Sequence, residues 1–229
     1  MNDVKWERVG AAAGVVFVVL LLVGGFIAGT PPDPDDSARE FREYFVDNDT
    51  ALKVGAYLNG LAIFPFLIFL GALWSRVRSV GDETRPLATM LAGAGVVGVG
   101  LASVGTAVTA ATAIRIGEVG GGGAKFFFTL SAVATGMTAF AVAVLVATVS
   151  VAAVRARVFP PWLGPAGAVL AVAWLISGLS VATEATGIGV FGFIVFLLWL
   201  VWVLVISYFL FRPQGPRTPA APPTASSTA

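Results

Sequence analysis

The 229-residue chain contains no cysteine and no histidine, and only 12% of its residues are charged. A soluble domain usually carries about 25% charge, so half of the expected amount is missing. Without His or Cys, the common zinc and haem sites, thiol nucleophiles and imidazole general bases are ruled out. A hard-cation site made of carboxylates stays open. The lack of Cys also excludes a disulfide scaffold and leaves the redox compartment unreadable. A formal net charge of +1 gives no electrostatic footprint for nucleic acid.

What the chain has instead is apolar sequence. Hydrophobic residues make up 57% of it and the mean hydropathy is +0.89, which excludes a disordered protein and points to a multi-pass membrane protein. A helix needs about 20 apolar residues to cross a hydrocarbon core. Six runs free of Asp, Glu, Lys and Arg meet that length: residues 9–29, 54–74, 87–114, 126–154, 162–183 and 188–211. The expected fold is therefore all-α, a bundle of six transmembrane helices over residues 1–211, followed by a tail at 212–229. The first run follows Lys5 and Arg8 but exceeds a signal-peptide core in length. Ala28–Gly29 is its only cleavage cue, and we read it as an uncleaved span.

Orientation follows the placement of Lys and Arg. With the N-terminus in the cytoplasm, the inner segments hold Lys5, Arg8, Arg76, Arg78, Arg85, Arg155, Arg157, Arg212 and Arg217; the outer ones hold only Arg39, Arg42, Lys53, Arg115 and Lys125. Both termini are thus expected to be cytoplasmic, in the cell membrane. The tail, with Pro213, Pro216, Pro219, Pro222 and Pro223, lacks core-forming residues and reads as disordered. A PxxP ligand is the alternative reading of the same prolines.

Several local patterns carry more than one meaning. Gly93, Gly95 and Gly98 match a dinucleotide fingerprint by letter, but they lie inside an apolar run without the strand and acidic residue that the motif requires. Together with Gly100 they are expected to let a neighbouring helix approach closely. Gly10/Gly14 and Gly25/Gly29 are GxxxG pairs that serve either dimerisation or packing inside one chain. Pro65, in the middle of the second span, removes the hydrogen bond to the Leu61 carbonyl and predicts a helix kink. In the first outer loop, Ser37 and Glu40 form a capping box, and Ala38, Phe41 and Phe45 repeat on one face. They predict a short amphipathic helix lying on the membrane or covering the bundle. Arg76/Arg78 and Arg155/Arg157 each follow a span, as cytoplasmic turns tend to do.

The hydroxyl-bearing residues cluster in what the topology makes the outer half of the bundle. Ser103, Thr106, Thr109 and Thr112 belong to the third span, Thr129, Ser131, Thr135 and Thr138 to the fourth, and Ser177, Ser180 and Thr183 to the fifth. Ser131, Thr135 and Thr138 share one helix face by their spacing. Asn59, the one amide inside any span, falls at a similar depth, with Arg115, Glu118, Lys125 and Glu184 as a charged rim above. From these residues Asn59, Thr106, Thr109, Ser131, Thr135, Thr138, Ser177 and Ser180 are the candidate lining of a polar cavity open to the outside. The competing reading is that each hydroxyl bonds its own helix and merely eases packing.

The order of segments carries a resemblance. SAREFREYFVDN is followed by AYLNGLAIFPFLIFLGALWSRVR, then by RARVFPPWLGPAGAVLAVAW and a last span ending FLLWLVWVLVISYFLF. With three Lys against eleven Arg and much Ala, Val and Gly, the chain resembles a family of small uncharacterised multi-pass membrane proteins of actinobacteria. The resemblance implies a six-helix bundle and brings no catalytic residue or cofactor with it. The functional expectation is a structural or accessory protein of the cell membrane, in contact with lipid and with an unidentified protein partner or a second copy. The alternative is an uncoupled permease or ligand-binding protein. An enzyme is not expected, because Tyr is the only ionisable type within the charge-free runs. No cofactor is expected either.

Overall fold

A computed structural model describes residues 3–182 and 186–212. It is all-helical, with no strand among the described residues. The helices are α1 (Asp3–Phe26), α2 (Ala38–Asp47), α3 (Asp49–Arg78), α4 (Arg85–Ile114), α5 (Gly121–Gly136), α6 (Thr138–Ala156), α7 (Leu163–Ser177) and α8 (Thr186–Phe211). A 3-10 turn, Asp82–Thr84, leads into α4, and a second, Gly178–Val181, extends α7. Six helical segments are long and apolar enough to cross a membrane: Lys5–Phe26, Asp49–Arg78, Asp82–Ile114, Gly121–Ala156, Leu163–Val181 and Gly187–Phe211.

These bounds differ from the charge-free runs for local reasons. The first helix stops at Phe26 instead of 29, ahead of the left-handed Gly29 (φ 71°) and the pair Pro31–Pro32. The second begins at Asp49 rather than 54, because Lys53 pairs with Asp49 one turn earlier at 2.6 Å and makes a charged turn helical. The fourth divides into α5 and α6 at Met137, a one-residue irregularity whose dihedrals (φ −60°, ψ −21°) and N–H bond to the Val133 carbonyl at 3.0 Å stay helical. Helix α3 runs unbroken through Pro65, which is buried within it.

The helices pack neighbour to neighbour. α1 lies along α3, α3 along α4, α4 along both α5 and α6, α6 along α7, α7 along α8, and α8 back along α1. Small residues set the closest approaches. Gly10 meets the Ala72 methyl, Gly14 meets Ser207 and Phe69, and Gly24 meets Gly55 backbone to backbone. The Gly10/Gly14 pair therefore packs inside one chain. The Gly25/Gly29 pair makes no close contact within the chain, since a Cβ on either would meet nothing within 4 Å; its neighbour Gly24 makes the contact. Along α4, Gly95 receives Leu70 and Gly98 lies against Ala141, whereas Gly93 and Gly100 face open space. Close approach is thus confined to two of those four glycines.

The main core fills the end of the bundle where Asp3 and Phe211 lie. Phe17 packs on Phe66 (ring centroids 4.9 Å apart) and on Trp199 (5.7 Å), and Trp199 on Trp174 (6.1 Å). At this end Arg76, only 7% exposed, donates from Nη1 to Glu7 Oε2 at 2.8 Å and lies over the Phe159 ring. A second core sits at the opposite end. There Phe41 and Phe45 of α2 are buried among Ala28, Leu52, Ala113, Ile116 and Ala124. Ser37 caps α2 with its side chain while the Glu40 carboxylate accepts from the Ser37 N–H at 2.7 Å.

Candidate functional site

Between the two cores the helices do not fill the bundle. On the α2 side, α8, α1, α3, α4 and α5 stand as successive neighbours, but α5 and α8 share no extensive contact among the described residues. On either side of Met137 the partners differ: α6 packs on α7 and α4, while α5 packs on α4 and α2 and meets the 3-10 turn after α7. Gly136 faces Ser180 and Val181 there, and Gly178 faces the Phe140 ring. Two irregular helix points thus meet and leave a cavity of about 1010 Å³ above them. Phe66, Trp174 and Trp199 lie at the junction with the main core, and Tyr44, Leu52 and Lys53 border the cavity near α2.

All eight residues singled out from the sequence border this cavity. They fall into two groups. Thr109 donates to the Gly105 carbonyl (3.2 Å), Ser131 to Phe128 (2.8 Å), Thr138 to Thr135 (2.6 Å) and Ser177 to Trp174 (2.9 Å), each within its own chain segment. These hydroxyls are satisfied by the backbone and mainly relieve helix carbonyls. The side chains of Asn59, Thr106, Thr135 and Ser180 make no hydrogen bond among the described residues. The Asn59 Oδ1 is buried against Gly24 without a donor. Thr135 and Ser180 are exposed, and Thr106 is half-buried. Asn59 lies ten residues into α3, roughly 15 Å from its start at about 1.5 Å per residue, near mid-membrane depth.

Ser131 and Thr135 lie on α5 and Thr138 opens α6 just beyond Met137, and all three border the cavity. Two sequence expectations need correction. The charged rim does not border the cavity. Arg115 pairs with Glu118 at 2.8 Å, and Lys125 Nζ donates to the Asp36 carbonyl at 2.9 Å while sitting over Phe41. Glu184, like Thr183 and the tail from Pro213 onward, lies outside the described residues. Nor is the α2 end simply open, because Phe41 and Phe45 stand over the tops of α3, α4 and α5. Burial there also pushes the Tyr44 phenol above its ordinary pKa.

The walls are mostly apolar, and the one ionised group on them, Lys53, is paired with Asp49. Trp174 and Trp199, which the sequence reading did not single out, border the cavity with indole N–H groups that have no acceptor among the described residues. Tryptophan in an apolar run normally signals a membrane interface, so nothing local marks these two as wall residues. Among the described residues no three carboxylates come together to hold a metal ion. No protein-family model, curated protein or solved structure matches the chain.

Proposed function

We propose that this protein holds a small molecule inside the membrane, and that the ligand-binding reading outweighs the purely structural one. The observation that carries it is the cavity of about 1010 Å³. Ligand sites are typically clefts of about 300–1,000 Å³ with apolar walls and a few polar groups that fix orientation. Here Asn59, Thr106, Thr135 and Ser180 supply those groups. Of these the Asn59 Oδ1 is buried without a donor, a state that costs about 1–3 kcal/mol and that a bound hydroxyl or amide would relieve. The walls carry no acid, base or nucleophile arranged for catalysis, so the reading is binding or uncoupled passage, without a cofactor. The nine-to-five distribution of basic residues supports cytoplasmic termini, with the cavity in the outer half of the cell membrane. The segments quoted above support kinship with small actinobacterial membrane proteins.

Thiol labelling tests the cavity, since any introduced Cys is the only one present. Thr135→Cys, purified in detergent and stripped of bound lipid, should react with a small neutral maleimide much faster than Ala143→Cys in the dry core. Gly122→Cys, in open space near the start of α5, is the reactive control. A Thr135→Cys protein as inert as Ala143→Cys would overturn the proposal.

A further inference from the structure

The cavity has one end and one side to consider. Its α2 end lies beneath a dry cluster in which Phe41 and Phe45 are fully buried. Its side is different, because α5 and α8 both border the cavity yet share no extensive contact among the described residues. Along that gap Ala132 and Thr135 on α5 and Gly189 on α8 are all exposed and all border the cavity. A Cβ on Gly189 would meet nothing within 4 Å. Both helices also carry exposed apolar residues: Phe126 and Leu130 on α5, Val190 and Ile194 on α8. In a six-span membrane protein such surfaces face acyl chains. The easy route into the cavity therefore leads from lipid.

We infer that the cavity takes an uncharged amphiphile from the bilayer through the α5–α8 gap, a molecule with hydrocarbon chains and a head bearing only hydroxyl or carbonyl groups. This deepens the ligand-binding reading and depends on it. Three observations set the class. The walls are mainly apolar and the volume is at the upper end for ligand sites, which suits a hydrocarbon body better than a small polar solute. The free polar groups are neutral hydrogen-bonding ones: the Asn59 amide, the Thr106, Thr135 and Ser180 hydroxyls, and the Trp174 and Trp199 indoles. The single cation, Lys53, is already held by Asp49 at 2.6 Å. A phosphate would be buried without a counter-charge, which is strongly unfavourable. A hydroxyl or ester carbonyl meets donors and acceptors that the chain leaves unused.

The placement of Trp174 and Trp199 gives the test. Both are 7% exposed and border the cavity, so acyl chains outside the bundle do not reach them. A variant with Trp6, Trp74, Trp162 and Trp202 changed to Phe keeps these two as the only fluorophores. Reconstituted in unlabelled lipid, it is titrated with a diacylglycerol or a phosphatidylcholine carrying the same dibrominated chains, bromine being a contact quencher. Severalfold stronger quenching by the diacylglycerol is expected, falling to the phosphatidylcholine level in Asn59→Ala. If that substitution prevents folding, Thr106→Val serves, with the same direction expected. Equal quenching by both lipids, or none by either, overturns the inference. So does selectivity that persists unchanged in the folded head-site variant. Should Thr135→Cys label while neither lipid quenches, the cavity stands and its occupant is of another class. An inert Thr135→Cys removes the cavity itself.

Discussion

The crossing of α1 and α3 makes a sharp prediction, because adjacent glycines answer differently to the same methyl group. A Cβ on Gly24 would lie 2.6 Å from Asn59 Oδ1 and 3.0 Å from the Gly55 carbonyl oxygen, so backbone as well as side chain obstructs it. A Cβ on Gly25 meets nothing within 4 Å. Overpacking that forces such shifts costs about 1–3 kcal/mol. Against it stands a helix-propensity gain for Ala over Gly of about 0.8–1.0 kcal/mol, a value from water-soluble hosts. Gly24→Ala should therefore lose up to about 2 kcal/mol, and Gly25→Ala should be neutral or gain up to about 1. Gly55→Ala, whose Cβ would lie 2.5 Å from the Gly24 carbonyl oxygen, should behave like Gly24→Ala. Reversible unfolding in mixed micelles, followed by tryptophan fluorescence, reads all three. If Gly24→Ala and Gly25→Ala shift the midpoint equally, or Gly25→Ala is the worse of the two, the α1–α3 interface does not have this geometry.

Breaking the Glu7–Arg76 pair by Glu7→Gln should destabilise by about 2–4 kcal/mol, somewhat less than the 3–5 typical of fully buried pairs, because Glu7 keeps 16% exposure; a midpoint within error of the parent refutes it. With cytoplasmic termini, Ser37→Cys should label with an impermeant thiol reagent on intact cells and Gly81→Cys only after lysis; the opposite pattern inverts the topology. The Ser37 hydroxyl and N–H hold the Glu40 carboxyl below its ordinary pKa. A depressed folded value means that the stabilisation is present above the unfolded pKa and fades as pH falls through the folded one. Order in α2, read by amide exchange, should weaken below about pH 4, and the dependence should shrink in Ser37→Ala.

Six spans were legible because membrane insertion demands uninterrupted apolar length, and only charge had to be counted. The ends of the helices were not, since Lys53 is charged yet helical through its bond to Asp49. Helix–helix geometry was also out of reach. Gly24 and Gly25 are adjacent in sequence and differ only in which face of α1 they occupy. An alternation pattern that separates inside from outside in soluble helices is blunted when lipid and core are both apolar. The candidate site shows the same division. Hydroxyls stand out against an apolar background, so the eight residues could be named from sequence. Which hydroxyls are already satisfied depends on each rotamer, and the sequence is silent on that. Glu7 attracted no notice because its partner, Arg76, lies 69 positions away.

The cavity depends on two weak points in helices that the composition treats as ordinary. Gly136 and Met137 interrupt the fourth span; Gly178 begins a tightened 3-10 turn at the end of α7. Each alone would bend a helix slightly. They lie against each other, with Gly136 beside Ser180 and Gly178 beside Phe140, so neither break is covered by a straight neighbour. Above this level α5 belongs with α4 and α2, and below it α6 belongs with α7. Irregular backbone at membrane depth is tolerated where it is buried in protein or borders a cavity. In this fold it does both, and it leaves the α5–α8 gap without any helix to close it.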